Sequence, residues 1–153
     1  MTRPKKILLA YDGSPDSKEA LQWAIELSLL SCAPLVAIKV AEPDLTRRSA
    51  AMFKEGYGVT LYERFVEMRQ LDEKQLNEVV EIGKKSGVSI KTEMLYGSIT
   101  TTILDYAKNN GVDLIIAGTR GQGALEEMLM GSVSRKLVSL STIPILVVKA
   151  KNV

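Results

Sequence analysis

The 153-residue chain contains no histidine and a single cysteine. Without histidine, it cannot form a His-based catalytic triad or a histidine metal site. Because Cys32 cannot form an internal disulfide, a reducing, cytoplasmic setting is the simplest expectation. Long hydrophobic runs are also missing, since none approaches the roughly 18 residues of a spanning helix. The apolar run near the N-terminus ends at Asp12 and is too short for a secretion signal.

An excess of charge of one sign is lacking as well. The 20 basic and 18 acidic residues leave a net charge of +2. That balance predicts no strong attraction to nucleic acid or to a membrane. The apolar fraction of 46% and the charged fraction of 25% are those of a soluble globular protein. The length suits a single domain over residues 1–153, with enough chain to bury a substantial core.

Short apolar runs alternate with helical patterns along the chain. This βαβαβαβαβ order predicts an α/β fold, a single doubly wound open parallel sheet of five strands with helices on both faces. The expected strand order is 3-2-1-4-5, with strands 3 and 5 at the edges. The segment at about 42–60, which includes Arg47 and Arg48, is predicted as a solvated loop whose arginines could instead approach phosphates or a partner. The predicted strands are residues 5–11, 33–40, 88–96, 112–117 and 143–149, and the helices follow Ser14 and cover 59–86, 99–109 and 128–140.

Two glycine-containing segments follow the predicted fourth strand. Residues 118–121 read G-T-R-G, and after nine residues 131–134 read G-S-V-S. Gly118 and Gly121 lack a Cβ, so their backbone can take positive φ and approach a ligand closely. The start of a helix favours an anion, and a serine hydroxyl adds a donor to phosphate. The alternative is an ordinary βα loop with serine caps. No Walker A lysine is present, which disfavours a P-loop NTPase.

Asp12 is the second candidate, because it follows the first predicted strand. In the expected order, strands 1 and 4 end beside each other at the topological switch point, where open parallel sheets bind ligands. Asp12 and Gly118 should therefore meet at one crevice. The carboxylate could accept hydrogen bonds from ribose hydroxyls, help to hold a metal ion, or cap its own loop. Arg120 could neutralise phosphate charge or point to solvent.

The spacing of the glycine-serine motif resembles the signature of the universal stress protein family, in its nucleotide-binding branch. The resemblance extends over nearly the whole chain, because residues 6–15 (KILLAYDGSP) match the family's first strand and loop, and 143–149 match its last strand. It implies a Rossmann-like fold of the adenine nucleotide alpha hydrolase type. It also implies ATP or another adenine nucleotide as ligand, with magnesium or manganese as an option on the phosphates. Family members often carry a variable insertion at about 42–60.

The resemblance also implies which residues contact the nucleotide. The backbone around Val40 is expected at the adenine ring and Asp12 near the nucleotide, with Asp12 as a weak metal ligand beside phosphate oxygens. Tyr11 departs from the family pattern, and its bulky ring could line the site or pack in the core. The expected ligand-contacting residues are Ala10, Tyr11, Asp12, Val40, Ala117, Gly118, Arg120, Gly121, Gly131, Ser132, Val133 and Ser134.

Three functional hypotheses follow from these features. The first is an ATP-binding regulatory module of the stress response, and the second is a slow metal-dependent ATP hydrolase. The third is an interaction dimer without bound nucleotide. No general base with a partner accompanies the motif, so we assign no catalytic residue and favour a non-enzymatic protein. Residues 143–149 are apolar on both faces, and pairing of this edge with a second copy predicts a homodimer.

Overall fold

The computed structural model of the chain describes residues 3–42, 58–121 and 129–151. Within these ranges five strands and four helices alternate, as the sequence predicts. Most of the predicted loop at about 42–60, including Arg47 and Arg48, lies outside the described residues. The strands are β1 Ile7–Ala10, β2 Leu35–Ala41, β3 Ile90–Tyr96, β4 Leu114–Gly118 and β5 Ile145–Val148; the helices are α1 Pro15–Ser31, α2 Gly58–Lys85, α3 Ile99–Asn109 and α4 Ser132–Leu140.

The five strands form one parallel sheet in the order β3-β2-β1-β4-β5. This confirms the predicted order and places β3 and β5 at the edges. The central strand β1 is in register with both neighbours, so that Ala10 lies opposite Ile38 of β2 and Ala117 of β4. The carboxyl ends of β1 and β4 therefore lie side by side, at the point where the strand order reverses.

Hydrophobic packing covers both faces of the sheet. On one face, Ile7 and Leu9 of β1 pack with residues of α1 and α2. On the other face, Leu8 packs with residues of α3 and α4, such as Ile103 and Leu137. Because both of its faces are buried, the central strand β1 reads as a continuous apolar run rather than as an alternating one. Each fully buried apolar side chain contributes about 1.5–3 kcal/mol of transfer free energy to folding. The two clusters confirm the prediction that helices cover both faces of the sheet.

The helix starts follow local signals where these exist. Ser14 caps α1 by accepting a hydrogen bond at 3.2 Å from the backbone N–H of Ser17, and Pro15 is the first helical residue. The predicted start of the last helix at residue 128 is wrong, because α4 begins at Ser132. Gly131 precedes it in extended conformation and donates its N–H to the Thr119 carbonyl at 2.7 Å. That bond turns the chain back to the motif loop before the helix can begin.

None of the described helices is long and apolar enough to cross a membrane.

Candidate functional site

A cavity of about 940 Å³ opens where β1, β2 and β4 end. Its volume suits a ligand of nucleotide size. All of the residues expected at the ligand line this cavity, although Ala10 and Ser134 lie more than a hundred positions apart in the chain. The crevice predicted at the switch point therefore exists. The cavity is also lined by residues that we did not predict: Ser17, Ile38, Lys39, Leu71, Asp72, Gln75, Ile99, Ile103, Thr119 and Leu137.

The two glycines of the first motif segment differ in how closely their neighbours pack. A Cβ at Gly118 would lie 2.8 Å from both the Cβ of Asp16 and the backbone N of Ser17, in the first turn of α1. A Cβ at Gly121 would lie 3.2 Å from Oδ2 of Asp12. Neither glycine has positive φ, so the expected conformational reason is wrong for both. The close neighbours of both glycines are protein atoms, with α1 nearest to Gly118, and close approach to a ligand stays a prediction.

The N-terminus of α4 faces the cavity without a side-chain cap. Gly131 occupies the cap position and offers no side chain, so within the described part of the chain no cap side chain accepts the first N–H groups of the helix, from Ser132 to Ser134. The helix dipole adds partial positive charge at the same place. Ser132 is exposed, and its hydroxyl makes no hydrogen bond to any other part of the chain that the structure describes. The geometry can therefore accept an anion.

Ser134 has a different part in the same turn. It is buried, and its hydroxyl lies 2.6 Å from the carbonyl oxygen of Thr119 and 3.1 Å from that of Gly131. Its proton is thus donated within the loop. The side chain fastens the first segment of the motif to the start of α4, which holds the two segments in a fixed relation around the cavity.

Arg120 lines the cavity, but its guanidinium pairs with a carboxylate and does not point to solvent. Its Nε and Nη2 atoms donate to Oδ2 and Oδ1 of Asp16, both at 2.9 Å, and its backbone N–H donates to Oδ2 at 2.9 Å. The carboxylate also accepts the N–H of Ala150 at 2.9 Å, just after β5. Burial opposes ionisation of Asp16, but these hydrogen bonds outweigh it and hold its pKa below the ordinary value. The guanidinium is therefore committed to a buried carboxylate.

Asp16, which lies directly behind the cavity wall, is one of the residues that sequence reasoning missed. An acidic residue in the first turn of a helix is ordinary, because it complements the helix dipole. Its side chain is only 2% exposed, and its partners lie 104 and 134 residues away. Only a contact made by the fold distinguishes it from a surface carboxylate.

Asp12 and Tyr11 each combine the alternatives that the sequence left open. Oδ1 of Asp12 accepts the N–H of Ser14 at 2.9 Å, which caps the loop, and Asp12 also lines the cavity. Tyr11 is 5% exposed and belongs to the core, yet it too lines the cavity. Burial raises the pKa of the Tyr11 hydroxyl, and the carboxylates of Glu78 and Asp12 raise it further. Tyr11 is therefore neutral at physiological pH.

The side of the cavity opposite the motif is formed by β2 and α2. Nζ of Lys39 lies 2.7 Å from Oδ1 of Asp72, and these two side chains are 12% and 15% exposed. Lys39 also donates a hydrogen bond to Oε1 of Gln75. Sequence reasoning missed this group, because Lys39 sits in an apolar strand and α2 reads as amphipathic with a solvated polar face.

The described residues around the cavity offer few side chains that could coordinate a metal ion. No group of three or more His, Cys, Asp or Glu side chains suited to a metal occurs in the ranges 3–42, 58–121 and 129–151. A cation at Asp12 would need oxygen atoms from the ligand to complete its coordination. The residues fit a metal bound together with phosphates and do not fit a metal held by protein alone.

The fold is that of a Rossmann-like α/β protein with a cavity at the topological switch point. The sequence pattern of the Universal stress protein family matches residues 4–149, and the chain belongs to this family. It is 35% identical over 150 residues to universal stress protein YxiE of Bacillus subtilis. The alignment covers 94% of this chain and 98% of YxiE.

Solved structures of the family share the fold. The universal stress protein UspA from Lactobacillus plantarum matches with a TM-score of 0.79 at 23% identity, covering 97% of this chain and 99% of the other. The universal stress protein from Archaeoglobus fulgidus in complex with dAMP matches with a TM-score of 0.67 at 22% identity, covering 94% and 97%. A universal stress protein in complex with cAMP matches with a TM-score of 0.67 at 19% identity, covering 98% and 100%.

Proposed function

We propose that this protein is a regulatory module of the stress response whose cavity binds an adenine nucleotide. The observation that carries the proposal is the uncapped N-terminus of α4, which opens into a cavity between the ends of β1, β2 and β4. Two family members of the same fold were solved with the adenine nucleotides dAMP and cAMP. ATP, which the resemblance favours, stays a prediction for this chain, as do a cytoplasmic location and the lack of a nucleic-acid partner.

The phosphate would lie at the start of α4. The N–H groups of residues 132–134 and the Ser132 hydroxyl are donors that a phosphate oxygen can accept. The Thr119 carbonyl is already bonded to Gly131 N–H and Ser134 Oγ, so the two motif segments are tied together before a ligand arrives. Such preorganisation lowers the cost of binding.

The nucleoside would lie across the ends of β1 and β2. The pairing of β1 with β2 stops at Ala10 opposite Ile38, so Val40 of β2 extends beyond the end of β1. Its backbone at that edge can offer hydrogen bonds to the adenine ring, while apolar side chains such as Ile99 line the same cavity. Asp12 stands between this region and Gly121 and is placed to accept hydrogen bonds from ribose hydroxyls.

A homodimer through β5 is the second part of the proposal. Among the strands that the structure describes, β5 pairs with β4 alone, and none of them pairs with its other edge. Val138 and Leu140 of the neighbouring α4 are 51% and 64% exposed. Pairing of the same edge from two copies would cover the open backbone and give a two-fold symmetric dimer. A strictly monomeric sedimentation profile at all concentrations would contradict it.

The nucleotide proposal is tested by identifying small molecules released from freshly purified protein and by the melting temperature with added nucleotide. Ligand at about 100 times its Kd contributes about 2.7 kcal/mol of stability, which for a domain of this size raises Tm by roughly 5–10 °C. In Gly121→Val the larger side chain would crowd Asp12 and the cavity. We expect this variant to lose the shift, and Ser132→Ala to reduce it.

The matched control is Ser139→Ala. This serine lies on α4, is exposed and does not line the cavity, so its loss should leave the shift unchanged. If no adenine nucleotide is released and none raises Tm, the interaction dimer without nucleotide becomes the better reading. Slow formation of ADP from ATP with magnesium or manganese, lost in Gly121→Val, would instead favour the hydrolase.

A further inference from the structure

One flank of α1 carries a row of large apolar side chains. Trp23 is 50% exposed and Leu30 is 77% exposed, while Leu27 between them is partly buried against the core. Their spacing of four and three residues places them on one side of the helix, and we call this row the Trp23 ridge. In the described helix α3, by contrast, no large apolar side chain is exposed. A continuous apolar row on a helix flank, unlike a single exposed leucine, marks a contact surface.

The Trp23 ridge lies on the side of α1 that is turned towards β5. α1 packs across β1, β4 and β5, with β4 in the middle. Its first turn marks the β5 side, because Asp16 accepts the N–H of Ala150, just after β5, at 2.9 Å. With 3.6 residues per turn, Trp23 and Leu27 project about 20° from the direction of Asp16. Leu30 projects about 40° from it. The ridge therefore points towards the edge of β5 that none of the described strands pairs with.

The height of Trp23 along the sheet coincides with the middle of β5. From Ala150 back to the midpoint between Leu146 and Val147 is about 11 Å, at roughly 3.3 Å per residue of strand. α1 runs antiparallel to the strands, and about 11 Å along a helix is about seven residues, which is the separation of Asp16 and Trp23. Trp23 is also the middle residue of the helix. A two-fold axis through the middle of β5 would therefore bring Trp23 close to Trp23 of a second copy.

Pairing of two β5 strands leaves a gap that these side chains fit. Antiparallel pairing about a two-fold axis perpendicular to the sheet keeps both copies of α1 on the same face. If each α1 lies over its own β4, the two helix axes are three strand spacings apart, or about 14 Å. Helices in direct contact lie about 8–10 Å apart, so only large side chains projecting from both helices fill the gap. A tryptophan from each copy has that size.

The strand pair alone is too small for a stable dimer. β5 has four residues and spans about 13 Å, whereas stable interfaces bury about 1,200–2,000 Å². The helices beside β5 must therefore supply most of the contact. α4 exposes Val138 and Leu140 on one face of the sheet, and α1 exposes the Trp23 ridge on the other. The ridge continues the surface that the pairing of β5 would begin.

We propose that the Trp23 ridge is a contact surface for a second copy of this chain, and that Trp23 packs against Trp23 of that copy across the two-fold axis. This inference rests on the proposed homodimer, because the pairing of β5 sets the axis. It adds a contact between helices, made by side chains, to a contact made by strand backbones. Tryptophan is a residue type in which the binding energy of interfaces is concentrated.

The chain itself reports on this contact, because Trp23 is its one tryptophan. Acrylamide quenching of tryptophan fluorescence measures how far the indole is accessible. In the dimer we expect quenching well below half that of free tryptophan, whereas a Trp23 outside the interface, 50% exposed, should give about half. Dilution to the monomer, checked by sedimentation, should restore that access. Low quenching that persists in the monomer would mean that the same chain covers Trp23, and it would overturn the inference.

Variants test the same contact through the Kd of the dimer, measured by sedimentation equilibrium. Trp23→Ala should raise this Kd at least about thirtyfold, as loss of a hot-spot residue does. Leu30→Ala should raise it about three- to tenfold, and Leu30, 77% exposed, packs too little within one copy for its loss to unfold the protein. The matched control is Leu29→Ala, because Leu29 is 46% exposed on the opposite flank of α1 and its loss should leave the Kd unchanged.

The outcomes separate this inference from the pairing of β5. A dimer in which Trp23 stays about half accessible and every variant keeps the wild-type Kd would overturn the inference and leave the β5 dimer standing. Equal weakening in Leu29→Ala and Leu30→Ala would also overturn it, because the contact would then not lie on the β5 side of α1. A protein that is monomeric at all concentrations overturns both the inference and the homodimer.

Discussion

The two sides of the cavity are built from different chemical groups. The side formed by residues 118–121 and 131–134 presents backbone N–H groups, and its side chains serve mainly to hold the loops together. The side formed by β2 and α2 presents the side chains of Lys39, Asp72 and Gln75. A backbone site needs glycine and a helix start, which leave a spacing in the sequence. A site made of side chains requires only that the fold bring them together. Such a site has no characteristic residue spacing by which it could be found in the sequence.

The largest loss of stability is expected when the buried carboxylate of Asp16, which holds the 118–121 loop through Arg120, is removed. Asp16→Ala would leave the Arg120 guanidinium, 10% exposed, without its carboxylate. Breaking a buried pair by removing one partner costs about 3–5 kcal/mol, measurable by urea denaturation. Glu26→Ala, at an exposed position on the same helix, should change stability by less than about 0.5 kcal/mol. A loss below about 1 kcal/mol in Asp16→Ala would show that this ion pair does not hold the motif.

The next effect distinguishes the two glycines of the motif. In Gly118→Ala the new methyl would meet α1 at 2.8 Å, where backbone atoms cannot yield, and overpacking costs about 1–3 kcal/mol. In Gly121→Ala it would meet Oδ2 of Asp12 at 3.2 Å, and that side chain can turn aside. We expect Gly121→Ala to keep its stability and to weaken nucleotide binding instead. Equal losses of stability for the two variants in thermal unfolding would contradict the prediction that Gly118 serves packing and Gly121 serves ligand binding.

A smaller effect separates two serines in one helical turn. Ser134→Ala removes the hydroxyl bonded to Thr119 at 2.6 Å and should cost about 1 kcal/mol of stability. Ser132→Ala removes an exposed hydroxyl and should leave stability unchanged, while nucleotide affinity falls about three- to tenfold. Thermal unfolding and calorimetry on both variants measure this. If Ser132→Ala binds nucleotide like wild type, its hydroxyl does not contact the phosphate.

The smallest effect is a pH dependence. Because the pKa of Asp16 is held below its ordinary value in the folded protein, folding favours the ionised form. The stability that this provides is fully present above the unfolded pKa of about 3.9 and is lost as pH falls through the lower folded value. Asp16→Asn, which cannot ionise, should show a shallower loss of stability below about pH 4 in urea titrations. Parallel pH curves for the variant and wild type would mean that Asp16 does not contribute.

Much of the fold could be predicted because its signals are local. Ser14 and Pro15 mark the start of α1, and the apolar runs mark the strands. The start of α4 could not be predicted, because the bond from Gly131 to Thr119 crosses the loop between the two motif segments. The candidate residues on the backbone side all line the cavity, but the reason given for the glycines was wrong, since α1 rather than backbone φ requires Gly118.

By itself the sequence determined the order of the strands, the buried and covered faces of the sheet, and the crevice where Asp12 meets the motif. Periodicity and glycine spacing act within a few residues and mark the strands and loops. The general rule for doubly wound folds then supplies the strand order and the place of the crevice. Only the tertiary structure decided the partner of Arg120 and the pairing of Lys39, and hence which charges at the cavity wall are paired. A buried ion takes whichever opposite charge the fold brings within reach, and that neighbour can be a hundred residues away.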